Sequence, residues 1–200
     1  MTTDNSDRRV AARPSAARQR ILDAADHLFY LDGVRAVGVD RIIGEAAVTR
    51  ATFYRHFPSK ETLVEAYLGA RADRARAAVA ALRAAMPDDP RAVLDAIARG
   101  LAEECAIDGF RGCEFINAAA EFADESAAAR RMAVDQRRWV LDVTTDLLAE
   151  LGRPRPRETA EALLLLRTGA YFATGLDRSP TAYALYLRMC DAVIDGHIEA

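Results

Sequence analysis

The chain of 200 residues is poor in several residue types, and each scarcity excludes something. It has three cysteines, Cys105, Cys113 and Cys190, an odd number with no CxxC spacing. That pattern indicates no disulfide framework and fits a reducing cytoplasm. The three histidines, His27, His56 and His197, are scattered, and no His/Cys/Asp grouping has metal-ligand spacing. No metal and no cofactor is therefore expected. No apolar run approaches the roughly 20 residues needed to cross a bilayer, and the leucine block Ala162–Leu166 stops at Arg167. The first residues, Met-Thr-Thr-Asp-Asn-Ser-Asp, are polar and acidic, which predicts no secretory signal. GxSxG, a Gly-rich phosphate loop and CxxC are all missing, so no enzyme class is indicated. Lysine is nearly absent too: 26 of the 27 basic residues are Arg, and the exception is Lys60.

Charge is unevenly distributed. The whole chain carries −3, which by itself argues against a nucleic-acid partner. Residues 1–60 hold 10 Lys/Arg against 7 Asp/Glu, and residues 61–200 hold 17 against 23. A small basic unit of +3 precedes a larger acidic one of −6.

Periodicity is helical throughout, with no long β-alternating run, so an all-α fold of about nine helices is expected. Residues 1–16 read as a disordered, solvated arm, with contact of Arg8, Arg9 and Arg13 to a phosphate backbone as the alternative. Residues 17–60 read as a three-helix unit. Its first helix starts at Ala17, with an apolar face of Ile21, Leu22, Ala25, Leu28 and Phe29 and an end at Asp32-Gly33, where glycine suits a left-handed cap. A second helix covers Val39–Ala46 and a third Arg50–His56, with Thr49 as N-cap. Residues 61–200 supply the rest: helices from Ser59 to Ala85, Arg91–Ile107, Cys113–Ala123, Glu125–Leu151, Arg157–Leu176 and Thr181–Ile198.

The informative stretch is V-D-R-I-I-G-E-A-A-V-T-R-A-T-F-Y-R-H-F-P-S-K, Val39–Lys60. Two short helices joined by a tight turn form a helix-turn-helix, whose second helix fits the DNA major groove. Arg50, Thr52, Tyr54, Arg55 and His56 crowd that helix with donors and aromatic edges, while Phe53 and Phe57, four apart, face the core. Arg matches guanine O6/N7, Thr the thymine methyl, and Lys60 a phosphate. A polar solvated face on a buried three-helix unit is the competing account of the same residues.

The segments R-I-L-D-A-A-D-H-L-F, D-G-V and V-T-R-A-T-F-Y-R-H-F-P-S-K-E-T-L resemble the DNA-binding domain of TetR-family transcriptional regulators. The resemblance implies a recognition helix at Thr49–His56. It implies backbone contacts from Tyr54, His56 and Lys60 and base readout by Arg50 and Thr52. It further implies a homodimer on a palindromic double-stranded DNA operator, acting mostly as a repressor released by a small-molecule effector. Three positions depart from the family pattern. Gly38 and Val39 stand where Thr or Ser is usual, Ile43 where a small residue is usual, and Ala47 where Gly is usual. If position 47 needs a positive φ, Ala there costs on the order of 1 kcal/mol.

In the larger unit, Phe110, Cys113, Phe115, Asn117, Trp139 and Tyr171 are candidates to line an effector pocket. Core packing is their competing role. Asn117 and Glu121, four apart, share a helix face, free to bond each other or a ligand. Cys113, near a helix start, is a candidate redox thiol, against the alternative of an inert buried one. Leu163, Leu166, Phe172, Tyr183, Leu187, Val193 and Ile194 form apolar faces suited to a four-helix dimer interface. The expected function is a cytoplasmic ligand-released repressor. An activator or ligand-independent regulator of the same fold is the alternative, and an all-α enzyme with a vestigial helix-turn-helix is the remote one.

Overall fold

The computed structural model describes residues 15–107, 109–122, 124, 126–177, 179 and 181–197. The arm expected over residues 1–16, with Arg8, Arg9 and Arg13, lies outside them except for Ser15 and Ala16. The described residues form nine α-helices and no strand: α1 (Ala16–Asp32), α2 (Val39–Glu45), α3 (Arg50–His56), α4 (Lys60–Ala85), α5 (Pro90–Cys105), α6 (Glu114–Ala120), α7 (Ala128–Glu150), α8 (Pro156–Gly175) and α9 (Ala182–Asp195).

Local chemistry sets these ends. Ser15 accepts from the Arg18 N–H at 3.2 Å, so α1 starts one residue before the periodicity predicts. Thr49 and Ser59 cap α3 and α4 through the amides of Thr52 and Thr62. Asp89 caps α5 and Pro90 takes its first turn, where a missing N–H costs nothing. Gly33 returns its N–H to Phe29 O at φ 90°, ψ 154°, a positive-φ exit but not the left-handed helical cap that was expected. Gly196 does take that left-handed cap, so α9 stops at Asp195 short of the expected Ile198. α6 is shorter than expected, because at Glu121 the chain turns away. α7 starts late, at Ala128, behind a turn in which Asp124 accepts from the Ser126 amide and hydroxyl at 2.8 Å each.

α1, α2 and α3 pack on one another around Ile21, Ala25, Val37, Ile42, Phe53 and Phe57, all buried. Ile43 is only partly covered. α4, about 39 Å long at 1.5 Å per residue, is shared. Its first half buries Leu63, Val64, Tyr67 and Leu68 against α1, and the helix continues against α5 and α7. α7, α8 and α9 pack in sequence, α6 lies on α7, and α5 touches α7, α8 and α9.

Between α2 and α3 the turn reverses at Ala47, whose φ is 49°. It is the one non-glycine residue with positive φ among those described. There Val48 N–H reaches back to Ile43 O at 3.3 Å, which closes the turn. The left-handed region costs an L-residue roughly 1–2 kcal/mol, and glycine recovers this less its greater unfolded-state entropy. Ala47→Gly is therefore expected to stabilise the protein by up to about 1 kcal/mol, read as a higher urea midpoint. Destabilisation by this variant would contradict the strain argument.

Candidate functional site

α3 is a two-turn helix anchored by its apolar residues. Phe53 and Phe57 are fully buried, with ring centroids 6.2 Å apart, and the Arg18 guanidinium lies 5.1 Å from the Phe57 ring centre. The Tyr54 ring stands edge-on to Phe53 at 5.3 Å yet stays 43% exposed. Thr49, Arg50, Tyr54 and Arg55 are exposed, and Thr52, His56 and Lys60 are half-buried. All seven lie on or beside one short helix.

Several of their polar atoms already have protein partners. Arg50 forms an exposed ion pair with Asp40 of α2. Thr49 and Thr52 hydroxyls lie 2.9 Å apart while Thr49 also accepts from the Thr52 amide. His56 Nε2 is 3.1 Å from Ser15 Oγ, at the cap of α1. Lys60 Nζ donates to Arg35 O at 3.4 Å, and partial burial pulls its pKa below the ordinary lysine value.

Comparison with known proteins bears on this unit first. Residues 21–67 match the family model described as bacterial regulatory proteins, tetR family. The HTH-type transcriptional regulator SrpR of Pseudomonas putida is 41% identical over 64 residues, which span 32% of this chain and 30% of SrpR. The similarity to SCO4454, a TetR-family transcriptional regulator from Streptomyces coelicolor, is much longer. Its crystal structure matches with a TM-score of 0.86 at 38% identity, over 91% of this chain and 96% of that one. The chain belongs to the TetR family of transcriptional regulators. The regulatory protein TetR from Rhodobacter sphaeroides also matches, at 26% identity and a TM-score of 0.74, over 88% of this chain and 97% of that one.

In this TetR-family chain the helix-turn-helix is joined to the later helices at two places besides α4. Glu121, just past α6, accepts from the Val34 amide at 2.8 Å and the Arg35 amide at 2.6 Å. Arg35 Nη1 returns a bond to the Glu121 carbonyl at 3.1 Å. Nearby, the Arg111 amide donates to Tyr30 Oη at 2.9 Å, and Tyr30 donates to Gly112 O at 3.3 Å. Between α1 and α4, Arg71 grips Asp26 with two bonds of 2.7 and 2.8 Å. Asn117 donates to Arg111 O at 2.8 Å, so Asn117 and Glu121 bond elsewhere and not to each other.

The six effector-pocket candidates do not converge on one cavity. Trp139 lines a cavity of about 150 Å³ between α4, α5, α7, α8 and α9. Cys113, Phe115 and Tyr171 line a neighbouring one of about 340 Å³. Asn117 lines a third, of about 260 Å³, together with Cys113 and Tyr171. Phe110 faces a groove by α1, although its ring lies 5.6 Å from that of Tyr171. Gln136 and Arg167, which were not among the candidates, line both of the first two cavities.

Cys113 precedes α6, but burial pushes its thiol pKa up, opposite to what a reactive thiolate needs. Burial likewise raises Cys105, and Cys190 to about 11, and all three are free. Among the described residues no group of three or more His, Cys, Asp or Glu is placed to hold a metal, and no helix is long and apolar enough to cross a membrane.

The apolar face expected to pair protomers is corrected in part. Leu163, Val193 and Ile194 are buried inside the single chain, since α8 and α9 direct them at α5 and α7. Leu166, Tyr183 and Leu187 are half-buried, and Phe172 is 56% exposed. Phe172 continues an outward stripe of Leu165 and Leu176 at helical spacing on α8, beside exposed Leu185 on α9.

Glu121→Ala would leave the Val34 amide without its partner. The expected loss is about 1–3 kcal/mol of stability, with faster hydrogen exchange at the Val34 and Arg35 amides. Unchanged exchange at both would refute the role of this carboxylate.

Proposed function

We propose that this TetR-family regulator represses transcription in the cytoplasm. It binds a palindromic DNA operator as a homodimer and lets go when a small molecule enters its C-terminal helices. Residues 17–60 act as the reading unit and residues 61–200 as the regulatory and pairing unit. The protein acts by binding, not by catalysis. The observation that carries the reading is α3 itself. It is a two-turn helix, marginal alone, pinned by two buried phenylalanines so that Arg50, Tyr54 and Arg55 face outward.

In that role Arg50 and Thr52 read base edges, and Tyr54, Arg55, His56 and Lys60 meet the phosphate backbone, with Thr49 at the helix start where amides favour anions. Arg50 exchanges Asp40 for DNA as it docks. Two-fold symmetry pairs the exposed stripe of α8, Phe172 with Leu165 and Leu176, and the outer residues Leu166, Tyr183 and Leu187 of α8 and α9. The two recognition helices then lie about one DNA turn apart. The contacts of Glu121, Arg111 and Arg71 with α1 and its following turn give the C-terminal helices a direct hold on the reading unit. Ligand and operator then oppose each other reciprocally.

Fluorescence anisotropy with a palindrome from the gene's own upstream region tests this. Affinity is expected to fall steeply with salt, as phosphate contacts require. Changing Arg50 and Tyr54 together to Ala should abolish specific binding, and binding that persists would sink the assignment. Asp40→Asn should instead tighten binding by about two- to fivefold, since it frees Arg50 from an exposed pair.

A further inference from the structure

The C-terminal helices hold a cation with no carboxylate beside it. Arg167 of α8 lines both the 150 Å³ and the 340 Å³ cavities. Its Nη2 donates to Tyr171 Oη at 2.9 Å, and its guanidinium lies 4.9 Å from the centre of that ring. Tyr171 Oη in turn donates to Glu104 Oε2 at 3.4 Å. The nearest counter-charge thus stands one tyrosine away. Among the described residues no carboxylate is within ion-pair distance of Arg167. Burial opposes the charge, yet its neighbours, Tyr171 first, hold its pKa above the ordinary arginine value.

A second, independent feature points into the same space. Gln136 of α7 is 7% exposed, lines both cavities, and its Oε1 has no hydrogen-bond partner. A buried amide oxygen without a donor is a cost that packing does not require, since Leu or Met would fill the volume without it. The first cavity is otherwise mostly apolar, with Ile97, Trp139, Val143 and Leu164 beside Thr144, whereas the second also carries Arg130, Arg137 and Thr168. An apolar chamber with two convergent polar groups is how a pocket orients an amphipathic ligand.

We propose that the effector is an organic monoanion, a carboxylate on an apolar alkyl or aryl body, held by Arg167. The planar guanidinium takes the carboxylate through paired charge-assisted bonds. Gln136 Oε1 takes a donor that enters with it, and the body lies against Trp139. In the first cavity, where Arg167 is the one cation in the lining, a monoanion matches that charge, whereas a dianion would leave excess negative charge near Glu104. The inference rests on the ligand-released reading above and names the ligand class for it.

Trp139 is the chain's single tryptophan and lines the cavity, so its emission reports filling without DNA. The full chain is titrated with octanoate and 4-phenylbutyrate, and with octanamide and octylamine as neutral and cationic counterparts. The carboxylates are expected to bind saturably, with octanoate at least about tenfold tighter than octanamide, and octylamine not to bind. Arg167→Gln should erase the preference for acid over amide, and Arg167→Lys should keep it. Equal binding of octanoate and octanamide, no binding by either carboxylate, or an unchanged preference in Arg167→Gln would each overturn the proposal. The acid-to-amide ratio in the unaltered protein decides the matter even if Arg167→Gln does not fold. Operator release is measured separately. A carboxylate that fills the cavity but leaves operator affinity unchanged sustains the anion site and sinks the release mechanism instead.

Discussion

The packing of α1 on the first half of α4 is the contact on which the rest of the molecule depends. Phe29 and Tyr67 meet edge to face at 5.6 Å in the apolar part of this joint, and Asp26 and Arg71 close its rim with two parallel bonds. Arg71 also lies 5.3 Å from the Tyr30 ring centre and 5.8 Å from that of Tyr67, so one guanidinium ties together both helices. Because α4 is continuous, a tilt imposed on its far half by α5 or α7 must either move α1 or break this joint. A packed, hydrogen-bonded joint resists breaking, so motion is passed on.

The fold was legible because its local signals agree with one another. Ser59 and Thr49 mark helix starts and the apolar spacing of α1 states which face is buried, whereas the cap at Gly196 lay inside the span expected for the last helix. The helix α3 was legible because Thr49 caps it and Phe53 and Phe57 anchor it at a spacing of four. The strain at Ala47 could be stated only as a condition, since φ is a property of the folded turn. The cavity beside Trp139 and Arg167 was harder to see, because it assembles side chains from five helices. A signal existed nonetheless. Arg167 occupies the register of buried Ala160, Leu163, Leu164 and Tyr171, and Gln136 that of Ala129 and Leu147. A polar residue at a core register deserves suspicion before an aromatic one does, since aromatics such as Phe115 are explained by packing alone. On α8 and α9 apolar spacing alone does not separate core from surface. Leu163, Val193 and Ile194 fill this chain's own core, while Phe172 stays exposed.

The residues proposed to face DNA are bonded within the chain. Arg50 has Asp40, His56 has Ser15, and Lys60 has the Arg35 carbonyl. In the proposed docking these bonds are exchanged for contacts with DNA, so the net gain would be smaller than the number of contacts implies. With only +3 on residues 1–60, bulk attraction adds little, so the proposed homodimer would discriminate by geometry and by its doubled contacts.

Glu121 recognises amides, and this sets what can vary around it. The bonds run to the backbone of Val34 and Arg35, so neither side chain is needed to make them. Position 33 has no such freedom. Its φ is 90°, and a Cβ there would stand 3.0 Å from Glu121 Oε1. Over three consecutive positions the joint thus favours glycine and then needs two backbone N–H groups, which bars proline, while Val34 also fills the core and Arg35 adds its own bond to the Glu121 carbonyl. A change of side chain at 35 forfeits one bond and keeps the two amide bonds, while a change at 33 or 121 strikes both amide bonds at once and leaves Tyr30–Arg111 and the α1–α4 packing to hold the two halves together.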